Sequence, residues 1–124
     1  MQEHSADQNQ VRQLRIKAGV LKRNLKDFTS YKAEEAQLKA QLGQMEEAGK
    51  AEKYLRHQAM LIAETSDVLG TCMPRIEEAM ADLENLLATY EEKPGEGFDL
   101  LKLTPEWVGA VNQIEEAKAF VSSQ

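Results

Sequence analysis

A chain of 124 residues with 29 % charged and 6 % aromatic side chains and a net charge of −6 is sized for one core. It is composed for long helices, rich in Leu, Ala, Glu, Gln and Lys. No apolar run approaches the roughly 20 residues of a membrane span, so neither a signal peptide nor a transmembrane helix is expected, and the single cysteine, Cys72, leaves no internal disulfide and fits the cytosol.

Residues 1–8, with His4 among them, are polar and are expected to form a flexible N-terminus. Asp7 and Asn9 are good N-caps, which predicts a first helix over about residues 9–46. Val11, Leu14, Ala18, Leu21, Leu25 and Phe28 fall on one arc of a helix advancing about 100° per residue. The apolar stripe then slips by three residues and continues through Tyr31, Leu38, Leu42 and Met45, a shift that overwinds a coiled coil locally. Gly19, at mid-helix, costs roughly 1 kcal/mol against alanine, which argues for close packing or a mild bend there.

The same helix carries the strongest charge signal. Arg12, Arg15, Lys17, Lys22, Arg23 and Lys26 lie between Gln8 and Lys26 with no Asp or Glu among them, so in a chain of net charge −6 the remaining residues carry about −12. Arg12, Arg15, Lys22, Arg23 and Lys26 occupy the arc next to the apolar stripe. This face either grips an acidic partner or compensates acidic helices nearby. Ile16 and Val20, with Tyr31 further along, fall roughly opposite the centre of the stripe. They are either covered by a third helix or form an exposed apolar patch flanked by cations, the makeup of a protein-binding surface. A basic helix ahead of a zipper would suggest DNA, but here the cations share turns with Leu14, Leu21 and Leu25, so no nucleic acid is expected.

Gly49 marks a short break and an antiparallel return into a second helix over about residues 51–91. Leu55, Ile62, Leu69, Ile76, Leu83 and Tyr90 recur every seven residues, with Ala59, Ser66, Met73, Met80 and Leu87 as the second seam position, a coiled-coil pattern. Pro74, four residues after Gly70, predicts a kinked helix and not two helices. Glu91 to Leu103, punctuated by Pro94, Gly95 and Gly97, reads as a loop. Thr104 then caps a third helix over about residues 105–121, with Pro105 first and Trp107, Val111, Ile114 and Val121 as its apolar stripe. The expected fold is all-α: an elongated three-helix bundle with coiled-coil packing, two long antiparallel helices and a shorter third, forming a single domain over residues 9–122.

Catalytic chemistry has no candidate residues. A nucleophile needs a base and a metal needs converging ligands. His57 has no carboxylate or cysteine at ligand spacing, Cys72 sits at a seam position where it packs, and the pairs Glu46/Glu47, Glu77/Glu78, Glu91/Glu92 and Glu115/Glu116 diverge on their helices. Gly95-Glu96-Gly97 lacks the lysine and the strand context of a phosphate loop. No catalytic residue, cofactor or metal is therefore expected, which leaves a helical binding module.

The run Gln13-Leu14-Arg15-Ile16-Lys17-x-Gly19-Val20-x-Lys22-Arg23, followed by Lys26, Asp27 and Tyr31, resembles the N-terminal helix of the tubulin-binding cofactor A family in type and spacing. Cys72 with Arg75-Ile76-Glu77, and Asp82-Leu83 through Leu86-Leu87, gives a second match. The resemblance runs from Val11 to Leu87, with a weaker part from Glu106 to Lys118. Two features depart from the family: Gly70 stands where a proline is usual, and the loop from Glu91 to Leu103 is longer and richer in Gly and Pro. The resemblance implies a cytoplasmic, cytoskeleton-associated chaperone, monomeric or weakly dimeric. It would bind β-tubulin folding intermediates after release from the chaperonin, without catalysis, nucleotide or membrane. Arg12, Arg15, Ile16, Lys17, Val20, Lys22, Arg23, Lys26 and Tyr31 are the candidate contact residues. A generic coiled-coil scaffold or adaptor is the alternative.

Overall fold

The computed structural model describes residues 5–124, so His4 and the start of the polar N-terminus lie outside the described residues. The elements are α1 (Gln8–Glu47), α2 (Glu52–Glu92), α3 (Phe98–Leu101) and α4 (Pro105–Ser123), and the described residues contain no strand. The chain is all-α.

Local chemistry sets each boundary. The Asp7 carboxylate accepts from the amide of Asn9 at 2.8 Å, satisfying a donor that the first turn of α1 leaves free. At the other end Gly49 takes φ +69°, its amide bonds to the carbonyl of Glu46, and that of Lys50 reaches back to Met45. This is the paired closure of a Schellman motif, and glycine supplies the left-handed residue it requires. Thr104 caps α4 by accepting from the amide of Trp107 at 3.2 Å. Pro105 fills the first helical position, where its missing N–H costs nothing. Helix α2 continues through Pro74 as one helix.

Where the sequence predicts a loop over residues 91–103, the structure places a one-turn helix, α3. Gly97 at φ +86° turns the chain into it, Leu101 is almost fully buried, and Phe98 meets Trp107 edge-on with ring centroids 5.8 Å apart. Burial of Leu101 and the ring contact of the half-buried Phe98 outweigh the glycines and proline just before them.

The chain divides into two compact units: Met1–Leu25 with Arg75–Gln124, and Lys26–Pro74. In the first, Leu14 and Leu21 of α1, Ile76 and Leu83 of α2, Leu101 of α3, and Ala110 and Ala117 of α4 have essentially no exposed surface. Trp107 and Ile114 complete the stripe of α4, while the predicted Val111 and Val121 are only half-buried. The amide of Asn24 donates to the carbonyl of Arg75 at 3.3 Å, tying α1 to α2 within this unit.

The second unit pairs the rest of α1 with the first half of α2, and its interior is more polar. On α1 the rotated stripe is present: Tyr31, Glu35, Leu38, Leu42 and Met45 are all half-buried. On α2 the seam at Leu55, Ile62 and Leu69 faces inward, but the second row does not follow the predicted positions. Gln58, Thr65 and Cys72 are buried, while Ala59 and Ser66 are exposed. The row lies one residue earlier because two polar side chains meet their hydrogen-bonding needs inside. The amide of Gln58 donates to the carbonyl of Leu38 at 3.0 Å and to Oε1 of Gln41 at 3.1 Å, and the hydroxyl of Thr65 donates to the carbonyl of Leu61. Glu35, its side chain 12 % exposed, accepts from the hydroxyl of Ser66 at 2.6 Å and has Lys32 and Lys39 at 3.6 and 3.7 Å. The Ser66 hydrogen bond, helped by the two ammonium groups, holds its carboxyl below the ordinary carboxylate range.

Candidate functional site: an exposed cationic face on α1

Within the first unit the core-facing arc of α1 is Val11, Leu14, Leu21 and Leu25, all buried. Helical periodicity sends Arg12, Ile16, Val20 and Arg23 to the opposite side, with Arg15 and Lys22 on one flank. All six are exposed. Ile16 keeps 44 % and Val20 39 % of its surface, so α4 does not cover them. Lys17 lies toward the other flank and is half-buried.

Among the described residues none of these cations is in an ion pair; the pairs present join Lys32 and Lys39 to Glu35, Arg56 to Glu52, and Lys118 to Glu84. The compensation that would make the stripe a purely internal device is not made by contact. Gly19 lies between Ile16 and Lys22, and a Cβ added there would meet nothing within 4 Å. It does not serve close packing inside the molecule.

Lys26 and Tyr31 belong to the second unit. Lys26 is exposed there, whereas Tyr31 is half-buried on the inward stripe of α1. The structure thus groups Arg12, Arg15, Ile16, Val20, Lys22 and Arg23 on one open face and leaves Tyr31 off it.

Sequence patterning did not single out the apolar surface at the α3–α4 corner, where Leu103 is 77 % exposed and Leu100 and Val108 are also open. The signal was the run Leu100-Leu101-Lys102-Leu103, of which only Leu101 is used by the core. Cys72 is buried, its thiol donating to the carbonyl of Val68 at 3.4 Å. His57 is exposed, and among the described residues no group of three His, Cys, Asp or Glu could hold a metal ion. No described helix is long and apolar enough to cross a membrane.

Comparison with known proteins agrees with this architecture. The family model described as tubulin binding cofactor A matches residues 9–103. Tubulin-folding cofactor A of Arabidopsis thaliana is 33 % identical over 82 residues, 66 % of this chain and 73 % of the relative. Tubulin-specific chaperone A of Homo sapiens is 34 % identical over 83 residues, 66 % of this chain and 76 % of the relative. The crystal structure of the Arabidopsis thaliana cofactor superposes with a TM-score of 0.75 at 27 % identity, covering 91 % of this chain and 99 % of that one. The human tubulin chaperone cofactor A structure gives 0.68 at 25 %, covering 88 % and 98 %. With its N-terminal motif, its helices and its relatives in accord, this chain belongs to the tubulin binding cofactor A family.

Proposed function

We propose that this chain is a stoichiometric tubulin chaperone that captures β-tubulin after its release from the cytosolic chaperonin and shields a surface of the folding intermediate. No bond is made or broken. The observation that carries this reading is the open face of α1, where Arg12, Arg15, Lys22 and Arg23, free of ion pairs among the described residues, surround the exposed Ile16 and Val20. β-Tubulin is acidic. Cations of this kind steer and orient an acidic partner, and the two aliphatic side chains supply apolar contact. Lys17 at the flank, and Lys26 and Tyr31 in the second unit, are secondary contributors. The names of the relatives support tubulin as the client class, and the reading extends to a cytoplasmic protein that is monomeric or weakly dimeric.

The test is charge reversal at Lys22→Glu and Arg23→Glu together, with β-tubulin binding measured by pull-down and titration. Both side chains are exposed, so helicity and the thermal midpoint should stay close to wild type while affinity falls about tenfold or more. Unchanged affinity would remove this face from the account. A variant that instead loses salt-sensitive binding to mixed-sequence DNA would assign the face to nucleic acid.

A further inference from the structure

The cationic face contains a glycine that the molecule itself does not use. Glycine in the interior of an exposed helix lowers stability relative to alanine, because it gives up more chain entropy and buries nothing. Such a residue is explained when something packs against it, yet a Cβ at Gly19 would meet no atom within 4 Å. Gly43, Gly70 and Gly109 are equally open, so openness alone decides nothing. What separates Gly19 is its surroundings. It is bracketed by the exposed Ile16 and Val20, by Arg15 one turn and Arg12 two turns before, and by Lys22 and Arg23 one turn after. These side chains rise around a position with none, leaving a notch in the surface of α1. The separation of two packed helices is set by the side chains at their crossing point, and a glycine there permits the closest approach.

We infer that the partner presents an acidic amphipathic helix that crosses α1 at Gly19, its backbone seated in the notch, its apolar side chains on Ile16 and Val20, and its carboxylates on the surrounding Arg and Lys. Charge complementarity selects the occupant: the stretch from Gln8 to Lys26 carries six cations and no anion, so the seated element is acidic. A second copy of this stretch would set six cations against six and is disfavoured. This inference rests on the proposed capture of β-tubulin through the same face and adds the form of the element that is captured. An extended acidic segment would need the cations and the aliphatic pair but would be indifferent to bulk at the notch.

Gly19→Gln adds bulk without charge and is compatible with a helix, and Gly19→Ala adds a single methyl group. With purified β-tubulin as the probe, Gly19→Gln should weaken binding at least tenfold and Gly19→Ala by threefold or less. Both should raise the thermal midpoint of the free protein by roughly 3–6 °C, which certifies the fold. The Lys22→Glu, Arg23→Glu protein is titrated alongside. Weakening by charge reversal with wild-type affinity for Gly19→Gln would overturn the helical crossing and leave the capture reading standing. Wild-type affinity in both would overturn both. Sedimentation of the free proteins supplies the remaining outcome: self-association in the wild type that Gly19→Gln abolishes, with tubulin binding unchanged, would assign the notch to a second copy and overturn the inference.

Discussion

Two glycines with positive φ separate the cost of backbone conformation from that of space. Gly49 at φ +69° and Gly97 at φ +86° both use the region that side chains disfavour, but an added Cβ at Gly49 would meet nothing, whereas at Gly97 it would lie 2.5 Å from the carbonyl oxygen of Ser5. Gly49→Ala should therefore cost about 1 kcal/mol, the conformational penalty alone. Gly97→Ala should cost about 3 kcal/mol, because the N-terminal segment must also move. Urea unfolding of the two variants checks the contrast, and equal losses would mean that the contact with Ser5 is not maintained in solution. Open space around Ile16, Val20 and Gly19 is equally a residue-scale fact that no pattern of types contains. Periodicity places them away from the core, and only coordinates show whether another helix arrives to cover them.

At the level of elements, α1, α2 and α4 were legible to within a residue or two because caps, terminal glycines and heptads agree. Asp7, Gly49 and Thr104 each satisfy the chain ends they were chosen for. Two features were not legible. Helix α3 is a single turn held by burial of Leu101 and the ring contact of Phe98, a tertiary cause invisible beside Pro94, Gly95 and Gly97. In the first half of α2 the second row lies at Gln58 and Thr65, one residue before the predicted Ala59 and Ser66, because a seven-residue spacing does not register that the core accepts polar side chains once they are hydrogen-bonded; further along, the predicted Leu87 is buried. Gln58 makes a test of that row. Gln58→Ala should destabilise by about 1–2 kcal/mol through lost bonds and packing, while Gln58→Leu, which removes the buried amide and keeps its volume, should equal or exceed wild type in chemical denaturation. If Gln58→Leu proves less stable than wild type, the two amide hydrogen bonds are net stabilising and the polar row is a source of stability.

For the molecule as a whole the distribution of charge matters more than its sum. A net charge of −6 would predict repulsion from another acidic protein, yet the open face of α1 concentrates positive charge where contact is proposed. Association with β-tubulin should slow several-fold between low and moderately high salt, with dissociation nearly unchanged, as stopped-flow mixing would show. An association rate that climbs with salt would mean that repulsion between the two bodies outweighs the local attraction. The sequence carried the class of this surface well, since six cations without an anion can be counted. It could not say that they would remain unpaired, because ion pairs depend on how neighbouring helices come to rest.

The single tryptophan is Trp107, enclosed in the first unit with Phe98 at its edge, and the second unit has none. Intrinsic emission is thus an optical gauge wired to one half of the chain, whereas far-ultraviolet ellipticity sums over every turn. Overlaying the two melting traces distinguishes a molecule that opens all at once from one whose halves let go separately, with no label attached.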